Sequence, residues 1–340
     1  MPRTSSTSAI QDLSPGTEQG QRETGPMITT PAELAAAAGL PADSLQSMEL
    51  AHQAFPLRVP AAFVEAVGGA PQAVLRQVLP EPRELVQSPG YQSDPVGDQA
   101  AMAASGVIHK YHGRVLLVAT GACAIHCRYC FRRHFPYNAA LASRDGWREA
   151  VAYIAANPEI SEVILSGGDP LMLEPRRLDQ LTRQLVELPQ IRRLRIHSRV
   201  PVVMPERINS ELLSWQAELP WPTTLVIHAN HPSELTEAAG VALGRLNRQR
   251  GMTLLNQAVL LAGVNDHPST LCRLNEDFFE LGVLPYYLHL LDPVQGAAHF
   301  HVDPARARSI MDELRVRLPG YLVPRLVQEN AGAPYKLPVL

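Results

Sequence analysis

Cys123-Ala124-Ile125-His126-Cys127-Arg128-Tyr129-Cys130 follows closely on Arg114-Val115-Leu116-Leu117-Val118-Ala119-Thr120. The second stretch has the length and apolar content of a buried strand. The first holds three of the chain's four cysteines, spaced C-x3-C-x2-C. Three thiolates are one short of the four that close a structural zinc site or ligate every iron of a [4Fe–4S] cube. In a cube, one iron would lack a protein ligand and stand open to chemistry. The spacing leaves two other readings open: a zinc knuckle completed by His126, His134 or a remote residue, and an electron-transfer cluster that takes Cys272 as its fourth ligand. Tyr129, just before the third cysteine, sets an aromatic face beside the thiolates.

Outward from this point the chain alternates. Strand-like runs fall at 114–120, 162–166, 193–198, 223–228, 253–260 and 284–291, and helical patterns near 144–156, 175–187, 207–218, 234–249, 269–281 and 304–317. Strands alternating with helices predict an α/β fold with a parallel sheet and right-handed crossovers. Only about 225 residues remain after Arg114, which suits a partial (β/α)6 barrel better than eight units. Residues 1–29 are rich in Ser, Thr, Gly and Gln and predict a disordered tail. Residues 30–108 predict a helical N-terminal region and an extended lead-in. Thr30 is placed as an N-cap, Pro31 in the first turn and Gly39 past the helix end. The barrel is expected over 109–303, and a C-terminal helix and lysine segment over 304–340.

Composition narrows the functional class. With 46% hydrophobic residues and a net charge of −3, nothing marks a nucleic-acid or membrane surface. Clustered cysteines and the lack of a signal-peptide pattern predict a cytoplasmic protein in a reducing compartment. Of 30 basic residues only Lys110 and Lys336 are lysines. A lysine amine can shed its proton and form an imine, which arginine cannot do.

Polar residues recur where the strands end, the face on which α/β folds collect their chemistry. They are Ser166-Gly167-Gly168-Asp169, His197-Ser198-Arg199, His228 with Asn230, Gln257, and His289 with Asp292. Paired glycines allow close approach of backbone to a ligand, and a carboxylate beside them could hold an ammonium group. Lys110 and Arg114 flank the first barrel strand and could pair with a phosphate. Glu329 to Lys336 forms a Gly- and Pro-marked segment that ends in the second lysine.

Taken in order, Phe55-Pro-Leu-Arg-Val-Pro60, His109-Lys110-Tyr111-His112, the cysteine stretch, Ser166–Leu171, Arg195–Arg199, Pro285–His289 and Val294–Phe300 resemble the lysine 2,3-aminomutases of the radical S-adenosylmethionine (SAM) superfamily. Within that family they are most similar to the branch that makes (R)-β-lysine for elongation factor P. The resemblance implies a radical-SAM isomerase that moves the 2-amino group of L-lysine to carbon 3. It assigns a [4Fe–4S] cluster to Cys123, Cys127 and Cys130. It puts Gly167, Gly168 and Asp169 at the amino end of SAM, with Ser198, His228 and Gln257 nearby. It assigns pyridoxal 5′-phosphate (PLP) to Lys336, with Lys110 and Arg114 at its phosphate. It gives the substrate carboxylate to Arg132 and the ε-ammonium to Asp292 and Glu329. It further implies a flavodoxin- or ferredoxin-type electron donor and an elongation factor P ligase as user of the product. Longer, catabolic members carry a cysteine-bearing zinc segment beyond their PLP lysine. Here four residues follow Lys336 and His267 stands at their upstream zinc position, so no structural zinc is expected and a homo-oligomer is left open.

Overall fold

The computed structural model describes residues 25–41, 45–68, 72–143 and 145–340. The predicted disordered tail lies mostly outside them. Its last residues are ordered: β1 (Met27–Ile28) pairs antiparallel with β2 (Val59–Pro60). The first helix, α1 (Pro31–Ala38), has the predicted ends. Thr30 Oγ1 accepts from the Glu33 amide and the Glu33 carboxylate accepts from the Thr30 amide, while Gly39 turns the chain at φ 63°. Helices α2 (Leu45–Ala54), α3 (Ala61–Ala66) and α4 (Gln72–Arg76) complete the N-terminal region.

The rest is built on one ten-stranded sheet. Its strands are β3 (Met102–Ala104), β4 (Val107–Tyr111), β5 (Arg114–Thr120), β6 (Glu162–Gly167), β7 (Arg193–Ser198), β8 (Thr223–Ile227), β9 (Met252–Val259), β10 (Leu284–His289), β11 (Arg325–Gln328) and β12 (Leu337–Pro338). They lie side by side in chain order, and β5 through β11 are parallel. The helices that return the chain are α5 (Arg148–Ala155), α6 (Pro175–Val186), the one-turn α7 (Val200–Val203), α8 (Ser210–Ala217), α9 (Glu237–Asn247), α10 (Pro268–Glu280) and α11 (Pro304–Arg317). The sheet is open, with β3 and β12 at its edges. The six predicted strand–helix units are all present. A seventh parallel strand, β11, and the edge strands β3, β4 and β12 add to them. The expected boundary between residues 108 and 109 falls inside β4.

The strands alternate as a curved sheet requires. Val163, Leu165, Leu194, Ile196, Leu225, Ile227, Leu254 and Leu288 are buried in the apolar core that includes the helices. Their alternates Ile164, Ser166, Arg195, His197, Gln257, Val259, Tyr287 and His289 line a cavity instead. The same alternation therefore makes a dry outer face and a polar inner one.

Candidate active site

The cavity has a volume of about 1410 Å³. The residues to which the resemblance assigns a site all line it: the three cysteines, Lys110, Arg114, Arg132, Gly167, Gly168, Asp169, Ser198, His228, Gln257, Asp292, Glu329 and Lys336; Asn230 and Cys272 do not. It runs the length of β5, from Arg114 at one end to the cysteine loop beyond Thr120. Seven residues of strand span about 20 Å at ~3.3 Å per residue.

The cysteine loop has no regular secondary structure, so the N-terminal region holds it. Arg58 Nε donates to the Cys123 carbonyl at 2.9 Å, and the amides of His126 and Arg128 donate to the carbonyls of Arg58 and Gln77. Arg128 is fully buried and donates to Glu84 through Nε (2.8 Å) and Nη2 (2.6 Å) and to the Phe55 carbonyl (2.8 Å). The thiols of Cys123, Cys127 and Cys130 stay partly exposed to the cavity. Burial, then the neighbouring Cys127, pushes the Cys130 thiol up to about 11. Among the described residues no three His, Cys, Asp or Glu side chains are grouped to hold a single metal ion. His126 Nδ1 and His134 Nε2 lie 2.8 and 3.2 Å from the backbone carbonyls of Pro56 and Gln295. Cys272 packs in the helix–sheet core.

The Gly167-Gly168-Asp169 turn lines the cavity and also links β6 to the cysteine loop. The Gly168 and Asp169 amides donate to the carbonyls of Thr120 (2.7 Å) and Ala122 (2.8 Å), zipping the end of β6 onto the start of the cysteine loop. Both amides are thus used within the protein. The Asp169 carboxylate is saturated too. Oδ1 accepts from Ser198 Oγ and the Leu171 amide, and Oδ2 from the Arg199 and Val200 amides. It ties the ends of β6 and β7 together. His228 is likewise engaged, with Nε2 2.7 Å from Tyr129 Oη and Nδ1 2.9 Å from the Gln257 carbonyl. Burial, then the Arg199 charge, lowers it to about 4, so it is neutral.

A chain of alternating charges also lines the cavity. Arg132 Nε meets Asp98 at 2.6 Å, and Lys110 meets Asp98 at 2.5 Å and Glu329 at 2.9 Å. Glu329 meets Lys336 at 2.7 Å. Burial would raise the Glu329 carboxyl, but the Lys336 and Lys110 ammoniums outweigh it and hold it far below the usual carboxylate range. Asp98 was missed in the sequence. It sits in an irregular turn, and only its two long-range cationic partners mark it. Asp292 faces the cavity outside this chain, and desolvation raises its carboxyl to about 7.

The donor set fits the groups that the residues call for. Three partly exposed cysteines line one cavity and would hold a [4Fe–4S] cluster by three of its irons. The Arg114 guanidinium lies over the Tyr111 ring (5.1 Å) and has no acidic or carbonyl partner among the described residues, as a phosphate ligand should. Lys110, by contrast, is already held by Asp98, Glu329 and the Val96 carbonyl.

Known proteins converge on the same reading. Residues 117–236 match the model of the radical SAM superfamily. The L-lysine 2,3-aminomutase of Escherichia coli K12 is 45% identical over 96% of this chain and 95% of its own. That of Haemophilus influenzae is 44% identical over 91% and 92%. The L-lysine 2,3-aminomutase of Acetoanaerobium sticklandii is 37% identical over 78% of this chain and 64% of its own length. The chain therefore belongs to the lysine 2,3-aminomutase family of radical SAM isomerases, which work with a [4Fe–4S] cluster, SAM and PLP.

Proposed function

We propose that the protein converts L-lysine to (R)-β-lysine by moving the amino group from carbon 2 to carbon 3. The observation that carries this reading is that the three cysteine thiols and the Lys336 amine open onto one cavity. Bound there, the cluster with SAM supplies a radical that abstracts hydrogen, and PLP supplies a conjugated system across which nitrogen can migrate.

The chain's part is positioning and shielding. Cys123, Cys127 and Cys130 would hold the cluster. Lys336 would carry PLP, with Arg114 at its phosphate and Lys110 beside it. Gly167, Gly168, Ser198, His228 and Gln257 would wall the SAM side. Asp169 would act there through the Ser198 hydroxyl and the α7 amides that it fixes. Asp98 and Ser166 hold Nε and Nη1 of Arg132, so Nη2 is left for a substrate carboxylate. Asp292 and Glu329 put two carboxylates at the far end. They favour a substrate with a cationic side chain, because an acidic one would meet like charge.

The test is an anaerobic preparation with cluster and PLP both bound, given L-lysine, SAM and a one-electron reductant, with chiral analysis of the product. Failure to form (R)-β-lysine would sink the proposal. The series of sequence motifs supports a further step, use of the product by an elongation factor P ligase. That step predicts a lower intact mass for elongation factor P from cells lacking this gene, and an unchanged mass would count against it. A flavodoxin- or ferredoxin-type donor meets the need for single electrons. Among the described residues no helix is long and apolar enough to cross a membrane.

A further inference from the structure

We infer that Arg199 is a positioning residue that holds the Cys127 sulfur and sets the reduction potential of the cluster, a role that rests on the assignment of Cys127 as a ligand. Arg199 is the first residue after β7 and is buried. Its amide is pinned by Asp169 at 2.7 Å. Its guanidinium spends every terminal N–H. Nη1 donates to Cys127 Sγ (2.7 Å) and Tyr129 Oη (2.9 Å), and Nη2 to Gln77 Oε1 (2.9 Å) and Glu234 Oε2 (2.7 Å).

Glu234 is itself buried and fixed. Its Oε1 accepts from Gln77 Nε2 at 2.9 Å and from the amides of Asn230 and His231. The acid thus sets the plane of the guanidinium, and the guanidinium reaches the sulfur. Among the described residues no other cysteine of the triplet receives a side-chain N–H; Arg58 reaches only the Cys123 carbonyl.

A buried ion pair seldom stabilises a fold more than an apolar replacement would. Its placement against a ligand atom is therefore better explained by its field. An N–H donated to a cluster thiolate withdraws electron density and favours the reduced state. Glu234 opposes this by offsetting the positive charge. The two residues should then move the potential in opposite directions, which a purely structural pair would not do.

The experiment is a redox titration of the reconstituted protein, with dithionite supplying the single electron and the cluster signal read by electron paramagnetic resonance. Iron content is measured in parallel. Arg199→Met should lower the ratio of reduced to oxidised cluster at fixed poise at least tenfold, ~59 mV for one electron. Glu234→Gln should raise it, and Arg199→Lys, which keeps the charge, should fall between Met and the parent. Shifts of the same sign in Met and Gln variants, or none, overturn the inference. So does failure of all three variants to assemble a cluster, since that would make Arg199 a folding residue. Cys127→Ala separates the two layers: if it keeps an unchanged cluster, the ligand assignment fails first.

Discussion

At Glu329 one carboxylate faces two ammoniums, Lys336 at 2.7 Å and Lys110 at 2.9 Å. The geometry alone does not tell the two lysines apart, but their surroundings do. Lys110 is also tied to Asp98 and to a carbonyl, whereas the other contact of Lys336 is the Tyr287 ring at 6.0 Å. The amine with fewer polar partners is the one freer to swing and bond to an aldehyde. Lys336→Ala should therefore abolish the visible absorbance of lysine-bound PLP, and Lys110→Ala should weaken PLP binding without abolishing that band. The reverse pattern would exchange the two roles. Asp292 makes a separate prediction about pH. Its unfolded carboxyl ionises near 3.8 and its folded one near 7, so the folded protein holds an extra proton between those values. Stability should decline as pH rises through that window, and Asp292→Asn should remove the decline in melting temperature. Lysine, whose ammonium needs the charged carboxylate, should bind about tenfold more weakly per unit as pH falls below 7, since one unit is worth ~1.4 kcal/mol. A flat affinity from pH 5 to 8 would place the ammonium elsewhere.

The turn after β6 shows what an element contributes beyond its residues. A Cβ on Gly168 would lie 2.4 Å from the Ala122 carbonyl oxygen, and one on Gly167 2.7 Å from the Thr120 oxygen, at φ +109°. The obstacles are backbone atoms at the end of β5 and the start of the cysteine loop, which cannot swing away as a side chain can. Gly168→Ala should cost roughly 1–3 kcal/mol or more by overpacking. It should also lower iron content after reconstitution, because the loop must shift; normal iron loading would contradict the zipper. The period-two and helical patterns foretold all six strand–helix units, and Thr30, Pro31 and Gly39 foretold the ends of α1. The short edge strands escaped notice because two to five residues carry too little alternation to stand out. β11 escaped because Arg325 and Gln328 bracket just two apolar residues, Leu326 and Val327. Site residues were legible where the chemistry is local, as in the cysteine spacing and the rarity of lysine. Asp98 and Glu234 were not, and Arg199 stood out only as a polar residue at a strand end, since each gains its meaning from partners tens of residues away. At Gly167-Gly168-Asp169 the sequence shows the amides but not that those of Gly168 and Asp169 donate to the carbonyls of Thr120 and Ala122.

Across the whole molecule, the N-terminal region is the other half of the site rather than a preface to it. Glu84, on the segment between α4 and β3, carries the link. Its Oε2 accepts from Arg128 Nη2 (2.6 Å) and Arg133 Nη2 (2.8 Å), and its Oε1 from Arg128 Nε (2.8 Å). Both guanidiniums also lie over the Phe55 ring, at 4.8 and 4.6 Å. Arg128 and Arg133 bracket Cys130, so one buried carboxylate joins the helical region to the loop that offers the thiols. Glu84→Gln keeps the shape and removes the charge, leaving two buried cations uncompensated. Breaking such a set from one side costs about 3–5 kcal/mol. The comparison is Asp179→Asn, which breaks the surface pair with Arg183, where the arginine side chain is 73% exposed and water already screens the charges, so little stability should be lost. Urea denaturation of the cluster-free proteins should separate the two variants clearly, and the Glu84 variant alone should also fail to retain iron. If the two unfold at the same midpoint, the N-terminal region is only leaning on the barrel. The cysteine loop would then have to keep its shape by the zipper to β6 alone.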